Sequence, residues 1–521
     1  MSLSAKDLAM DALDLVKTAP RQAFIGGRFV DAASGASLPS YNPATGELIA
    51  EVADCGEVDV DAAVASARAA FEDGRWSRLS PAERKSAMLR FADLIESHAQ
   101  DLVDIESIDA GKPVVDGAES DVPHVVEVIR YYAEMIDKVF GKVAPTGAES
   151  LALVVKQPVG VVGAVLPWNF PIALVGQKVG PALAAGNSVV IKPPEQAPLS
   201  TLYFARLAAE AGIPDGVINV VPGRGEVAGR ALGLHPDVDA ITFTGSTPVG
   251  QAFLRYASES NMKKIVLECG GKSPQIVLGD AGRDLAAVAE QLAVAGFWNA
   301  GQNCTCGSRI LVHESLHDEL VATLAAVAAE WQVGDPRDQS TAIGAIIEEA
   351  ALHRILGHIE DAVADGATVV HGGKRLFEES GGWFVEPTIL DNVRPGTRFW
   401  REEVFGPVVG ITTFRTDDEA IALANDTEYG LLATLFTHDI DRAIRVSRAV
   451  RAGVIAINGY SEGDLTTPFG GLKMSGFGGQ DGGVEALEQY TETKTIWLTL
   501  GSGEPQPGAA AATSNEEPSD A

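Results

Sequence analysis

The residues best suited to chemistry lie in Phe297-Trp298-Asn299-Ala300-Gly301-Gln302-Asn303-Cys304-Thr305-Cys306-Gly307-Ser308-Arg309. An apolar, Ala-rich run with Leu285, Val288, Leu292 and Val294 leads into it as a helix that Asp284 can cap. A β-branched strand, Ile310-Leu311-Val312, follows. Cys304 therefore sits in a glycine-flanked break between helix and strand. Such a break lets backbone N–H groups point into a cleft beside a sulfur nucleophile. Taken alone, the stretch suits a small buried thiol better, which is the usual fate of a free cysteine.

Other candidates close predicted strands. Asn169, in Pro167-Trp168-Asn169-Phe170-Pro171, offers two N–H donors without a titrating charge, as an oxyanion site needs, or else forms an Asx turn. Glu268 precedes Cys269-Gly270-Gly271; in an apolar setting its pKa rises and it can act as a base, whereas in solvent it is an ordinary ion-paired acid. Ile191-Lys192-Pro193-Pro194-Glu195 ends in an acid that can bind ribose hydroxyls or cap a helix. Phe243-Thr244-Gly245-Ser246-Thr247-Pro248-Val249 puts glycine, hydroxyls and proline at a strand-to-helix junction, where helix N–H groups can meet a phosphate. The run around Gly225 is a weak dinucleotide fingerprint, one residue too long. Glu403 and Phe405 point the same way if extended, and could hold a ribose and a ring. Cys304 and Cys306 have no second pair at ligand spacing, so no metal site is expected.

These residues need a scaffold, and the chain supplies a regular one. Strands at Val159–Val165, Val189–Ile191, Val217–Val221, Ala240–Thr244 and Lys264–Leu267 alternate with helices, including Leu199–Ala211 and Pro248–Ser258. That pitch means an α/β fold with a doubly wound parallel sheet, whose ligands bind outside the carboxyl ends of the strands. A second βα pattern runs from Ser273 to about Gly470, with strands near Val408–Phe414 and Gly453–Asn458. A Gly-Gly hairpin is expected at Phe24–Val30, a helical region over 58–139, and a last strand at Thr493–Leu500. The 521 residues imply two or three domains. The net charge of −31 argues against nucleic acid and against an anionic membrane surface. No apolar run is long enough to span a bilayer, and four cysteines make no disulfide framework, so a cytoplasmic setting without a secretory signal is expected.

In order, PWNFP, IKPPEQ, FTGSTPVG, LECGGKSP, FWNAGQNCTCGSR, EEVFGPV and PFGGLKMSGFG resemble the NAD(P)-dependent, non-acylating aldehyde dehydrogenases. The resemblance implies an oxidoreductase with a Rossmann-like cofactor domain at 21–139 and 160–271 and an α/β catalytic domain at 272–473. It also implies a small β oligomerisation element at 140–159 and 474–500, between an N-terminal extension at 1–20 and a disordered acidic tail at 501–521. A homodimer or homotetramer follows by the same analogy. It further implies Cys304 as nucleophile, Glu268 as general base, Asn169 in the oxyanion hole, and Lys192 and Glu195 at the adenosine ribose. Ser246 would meet the pyrophosphate, and Glu403 and Phe405 would hold the nicotinamide ribose and ring. Val165, Leu166, Pro167, Trp168, Gly225, Phe243, Gly245, Val249, Cys269 and Gly270 complete the implied cofactor contacts, and Glu485 matches a carboxylate on a proton path from the base. Glu195 near the 2′-hydroxyl favours NAD, although related members accept NADP.

By register, the aldehyde tunnel includes His124, Phe170, Gln177, Trp298, Asn303, Thr305, Glu462, Asp464 and Phe469. Carboxylates at Glu462 and Asp464 suit a polar or amino-aldehyde, and GDLTTPFGG is similar to dehydrogenases of γ-glutamyl-aminobutyraldehyde. Alternatives are a broad aliphatic, aromatic or betaine aldehyde dehydrogenase, an acylating semialdehyde enzyme, or a catalytically silent relative.

Overall fold

A computed structural model describes residues 12–500. The tail at 501–521 and most of the N-terminal extension lie outside the described residues. Strand Val161–Val165 is buried at every position and runs parallel to Ser188–Lys192 on one side and Ala240–Thr244 on the other. Ile218–Val220 and Lys264–Glu268 extend the parallel set outward. The near-continuous apolar runs of these strands follow from burial of both faces. The hairpin Ala23–Ile25 and Arg28–Val30 closes one edge, turning through Gly26 and Gly27 at positive φ, as expected. The other edge is closed antiparallel by Gly476–Phe477, giving eight strands. Helix Pro171–Ala185 starts on a proline directly after Phe170 and stops at Gly186, whose φ of 98° is left-handed.

A second sheet of seven strands is parallel except at Thr368–His371. Its central strand is Arg309–His313, and Pro274–Val277 lies next to it, between Arg309–His313 and Leu432–Phe436. Neither Pro274–Val277 nor Leu432–Phe436 was anticipated: the first is short and opens on proline, and both lack an alternating pattern because both faces are covered. The hairpin Ser37–Tyr41 with Leu48–Ala53 is also additional, and Pro39 within it weakens any strand signal. A third, three-stranded sheet joins Lys142–Ala144, Ser150–Pro158 and Thr491–Thr499. The expected α/β class is the one the chain adopts. No helix among the described residues is long and apolar enough to cross a membrane.

Candidate active site

The carboxyl ends of the first sheet and the loop before Arg309–His313 of the second line one cavity of about 660 Å³. Pro167 to Phe170, Thr244 to Ser246 and Glu268 to Gly270 come from the first sheet; Trp298, Asn303, Cys304, Glu403, Phe405 and Glu462 come from the second half of the chain.

The loop that presents Cys304 is strained. Helix Leu285–Phe297 is capped by Asp284, which accepts from the Ala287 N–H at 3.3 Å. Beyond it, Asn299 (φ 52°, ψ 36°) and Ala300 (φ 55°, ψ 30°) are both left-handed, followed by Gly301 at φ 63°. Such conformations cost roughly 1 kcal/mol or more per non-glycine residue and persist only where surroundings hold them. Here the holding group is the Asn299 amide, which donates to the carbonyls of Asn169 at 3.0 Å and Gln302 at 3.2 Å. Asn169 Nδ2 in turn donates to the Gln302 carbonyl at 3.0 Å. One Nδ2 proton of Asn169 is thereby used, and the other remains for a ligand. The half-buried Cys304 thiol lies 3.7 Å from Asn303 Oδ1. Burial, then Glu462, Glu403 and Glu268 in that order, hold its pKa well above the usual thiol range. Cys269 and Cys306 are buried, and burial pushes each up to about 12.

Glu268 is buried, and its oxygens meet no close hydrogen-bond partner among the described residues, the Gly471 N–H acting on them only weakly. Burial raises its pKa well above the ordinary carboxylate range; the Asp481 carboxylate adds to the rise and the Lys178 ammonium opposes it. Lys178 and Asp481 form a buried ion pair at 2.6 Å. Sequence reasoning put Glu485 on the proton path. Glu485 sits in the first turn of helix Gly483–Glu488 and is not among the residues that line the cavity; the carboxylate that lines the wall and acts on Glu268 is Asp481.

The expected cofactor residues divide into two groups. Pro167, Trp168, Gly245, Ser246, Cys269, Gly270, Glu403 and Phe405 line the cavity. Glu403 accepts the Gly271 N–H at 2.9 Å, and burial raises its pKa to about 7. A Cβ at Gly270 would stand 2.2 Å from that carboxylate, so only glycine fits. Phe405, at φ 54°, sets its ring edge-on to Trp168 at 5.2 Å. Lys192, Glu195 and Gly225 lie beyond the cavity: Lys192 Nζ is 3.6 Å from Glu195 Oε1, which also accepts the Gly225 N–H. Burial lowers the Lys192 pKa, and Glu195 partly restores it. Ser246 caps helix Thr247–Glu259 with an extended backbone and no side-chain cap bond, leaving its hydroxyl and the helix N-terminus open. Val165 and Leu166 are buried behind this edge. Phe243 packs into the core against Phe253 at 5.1 Å and shapes Gly245 from behind, and Val249 is exposed on helix Thr247–Glu259.

On the aldehyde side, His124, Phe170, Gln177, Trp298, Asn303, Glu462, Asp464 and Phe469 all line the cavity, with Phe170 tilted on Trp298 at 5.2 Å. Thr305 does not: it is fully buried behind the wall, and its hydroxyl donates to Glu462. Asp464 is exposed and spends Oδ1 on Thr466. Sequence reasoning missed Asp121, Glu127, Arg354 and Asp481 in the lining, and Lys178 and Tyr460 behind it. Asp121 and Asp481 are held by lysines, and the buried Lys112–Asp121 pair had no local pattern to reveal it. Among the described residues no cluster of ligands suits a metal ion.

This geometry has close counterparts. The family model described as "Aldehyde dehydrogenase family" matches residues 29–496. The chain belongs to that family. An aminoacetaldehyde dehydrogenase of Pseudomonas aeruginosa is 50% identical over 479 residues, 92% of this chain and 96% of that protein. The crystal structure of a γ-glutamyl-γ-aminobutyraldehyde dehydrogenase from Burkholderia cenocepacia superposes with a TM-score of 0.91 at 48% identity, covering 94% of this chain and 99% of the other. The P. syringae indole-3-acetaldehyde dehydrogenase AldA, solved with NAD+ and IAA, gives 0.92 at 45% identity, covering 94% and 99%. The expected fold and enzyme class therefore stand: the chain is an NAD(P)-dependent aldehyde dehydrogenase.

Proposed function

We propose that this aldehyde dehydrogenase oxidises a polar or amino-bearing aldehyde to its carboxylate with NAD, through a thiohemiacetal and a thioester on Cys304. The observation that carries this reading is the meeting of Cys304, Asn169 and Glu268 on one cavity wall, with both other nearby thiols buried. The dinucleotide fits the residues present: an open helix N-terminus at Ser246, the Glu195 and Lys192 pair, and the Glu403 and Phe405 wall that Gly270 leaves clear. Bound there, the oxidised nicotinamide supplies the acceptor for the electron pair and hydrogen lost by the aldehyde carbon.

The remaining chemistry belongs to the protein. Cys304 attacks as thiolate, and the oxyanion is met by the spare Nδ2 proton of Asn169 and the Cys304 backbone N–H. After oxidation the thioester on Cys304 is opened by water that Glu268 deprotonates. Lys178, paired with Asp481, moderates the pKa of that base. The substrate class is supported by Glu462 and by the two relatives whose names specify amino-bearing aldehydes. We further assign the dinucleotide to 21–139 and 160–271, catalysis to 272–473, and subunit pairing to 140–159 and 474–500. Exposed Val143, Ile496, Trp497 and Leu498 on the three-stranded sheet support a homodimer or homotetramer, and four free thiols suit a cytoplasmic setting.

The test is NADH formation over aliphatic, aromatic, ω-amino, trimethylammonio and semialdehyde panels, with and without coenzyme A. Preference for ω-amino substrates, independent of coenzyme A, is expected. Activity retained by Cys304→Ser, or a product that requires coenzyme A, overturns the mechanism.

A further inference from the structure

Behind Cys304 a chain of hydrogen bonds ends on a carboxylate. Asn303 Nδ2 donates to the Tyr460 hydroxyl at 2.8 Å, and Tyr460 meets Thr305 Oγ1 at 2.7 Å. The Thr305 hydroxyl donates to Glu462 Oε1, which also lies 3.0 Å from the Tyr460 hydroxyl. Each hydroxyl has one proton, and the chain is satisfied when Tyr460 donates to Thr305 and Thr305 to Glu462. The protons then run toward the carboxylate and fix it. Glu462 Oε2 accepts from no described residue, and the half-buried side chain lines the cavity.

The same chain begins at the nucleophile, because the Cys304 thiol faces Oδ1 of that Asn303. Three carboxylates, Glu462, Glu403 and Glu268, oppose ionisation of the thiol. The cavity's other carboxylates are Asp121, Glu127, Asp464 and Asp481, with Tyr460 buried behind the wall. Its basic groups are His124 and Arg354. Lys178 and Lys112 are committed to Asp481 and Asp121. Arg354 acts on Glu348 and Glu403, and a cation brought in by the substrate would join these groups from outside. Glu403 and Glu268 lie on the cofactor side, whereas Glu462 lies on the aldehyde side.

We propose that Glu462 makes the substrate's own cation part of nucleophile activation. An ammonium paired with its open Oε2 cancels the field that holds the thiol; the Cys304 S–H bond breaks, its electron pair stays on sulfur, and the proton passes to solvent. This rests on the amino-aldehyde reading above and deepens it: the cation selects substrates by switching on the nucleophile as well as by binding.

The test needs no turnover, so its outcome is independent of the aldehyde panel. The full-length enzyme without cofactor is alkylated with iodoacetamide across pH, and modification of Cys304 is followed by peptide mass spectrometry. Aminoethanol, aminopropanol and aminobutanol are compared with ethanol, propanol and butanol. At least one ammonium alcohol is expected to speed Cys304 alkylation near neutral pH by about tenfold, a one-unit displacement of the profile, while the neutral alcohols leave it unchanged. Glu462→Gln is expected to react faster than wild type without any alcohol and to lose the response; Glu462→Asp, which keeps the charge, is expected to retain it. Absence of acceleration in the wild-type enzyme, or a full response in Glu462→Gln, overturns the proposal. If Glu462→Gln does not fold, the wild-type comparison of ammonium with neutral alcohols still decides.

Discussion

The two sides of the cavity are built by different means. The cofactor side stands at the carboxyl ends of parallel strands and uses what such ends offer: backbone N–H groups, a helix start at Ser246, and glycine where a Cβ would collide with Glu403. The Cys304 side is a loop in which consecutive residues adopt left-handed geometry, held from the opposite half of the molecule by Asn169. A regular sheet can offer binding groups almost unaided. Presenting a nucleophile at one angle takes strain and a partner that keeps the strain in place.

That contrast can be broken by substitution, starting where the effect is greatest. Cys304→Ala is expected to lower kcat by at least roughly 10³-fold while NAD affinity, followed by calorimetry, stays unchanged. Equal loss of NAD binding would mean that the two sides are one unit. Asn169→Ala is expected to cost about 10²–10³-fold in kcat. It removes the spare oxyanion donor and one bond that Gln302 receives. Purified product analysis should show the loss before thioester formation.

Glu268→Gln should reduce steady-state turnover by roughly 10²-fold or more while leaving a burst of NADH, because the thioester then accumulates. The working form of Glu268 is the deprotonated one, and its pKa is raised, so hydrolysis climbs with pH through that raised value and fails below it. Lys178 opposes the rise; Lys178→Met is therefore expected to move the ascending limb of the pH–kcat profile to higher pH. A limb displaced to lower pH would remove Lys178 from the account.

On the cofactor side effects should be smaller and confined to KM. Glu195→Gln is expected to raise the KM for NAD about tenfold with kcat unchanged, the scale of one hydrogen bond to a charged group. Ser246→Ala should raise it by about threefold, since the helix N–H groups remain. Either substitution lowering kcat instead would erase the distinction between the sides.

The sequence disclosed these sides unequally. The alternation between Gly186 and Leu267 announced its sheet because strand, turn and helix signals recur at a fixed pitch, and Ala240–Thr244 is where the pattern put it. Asn169, Glu268 and Cys304 could be singled out because each closes or precedes a strand beside glycine or proline. Pro274–Val277 gave too short a signal, although it is an interior strand of its sheet. The electrostatic setting was least legible. Asp481 acts on Glu268 and pairs with Lys178 across 303 positions of sequence, and no local pattern encodes such a meeting. Thr305 illustrates the same gap: its neighbour in sequence is the nucleophile, but its side chain turns away to hold Glu462.

The short strand Gly476–Phe477 has a consequence for how the enzyme comes into being. It closes the sheet beside Lys264–Glu268 and is made long after its partner has left the ribosome. Until it docks, the strand bearing the base has an open edge, and Asp481, just beyond it, is absent from the neighbourhood of Glu268. A nascent chain thus carries its thiol before it carries a finished base. A chain cut short before residue 476 would leave that edge open and lack the Asp481 carboxylate that acts on Glu268.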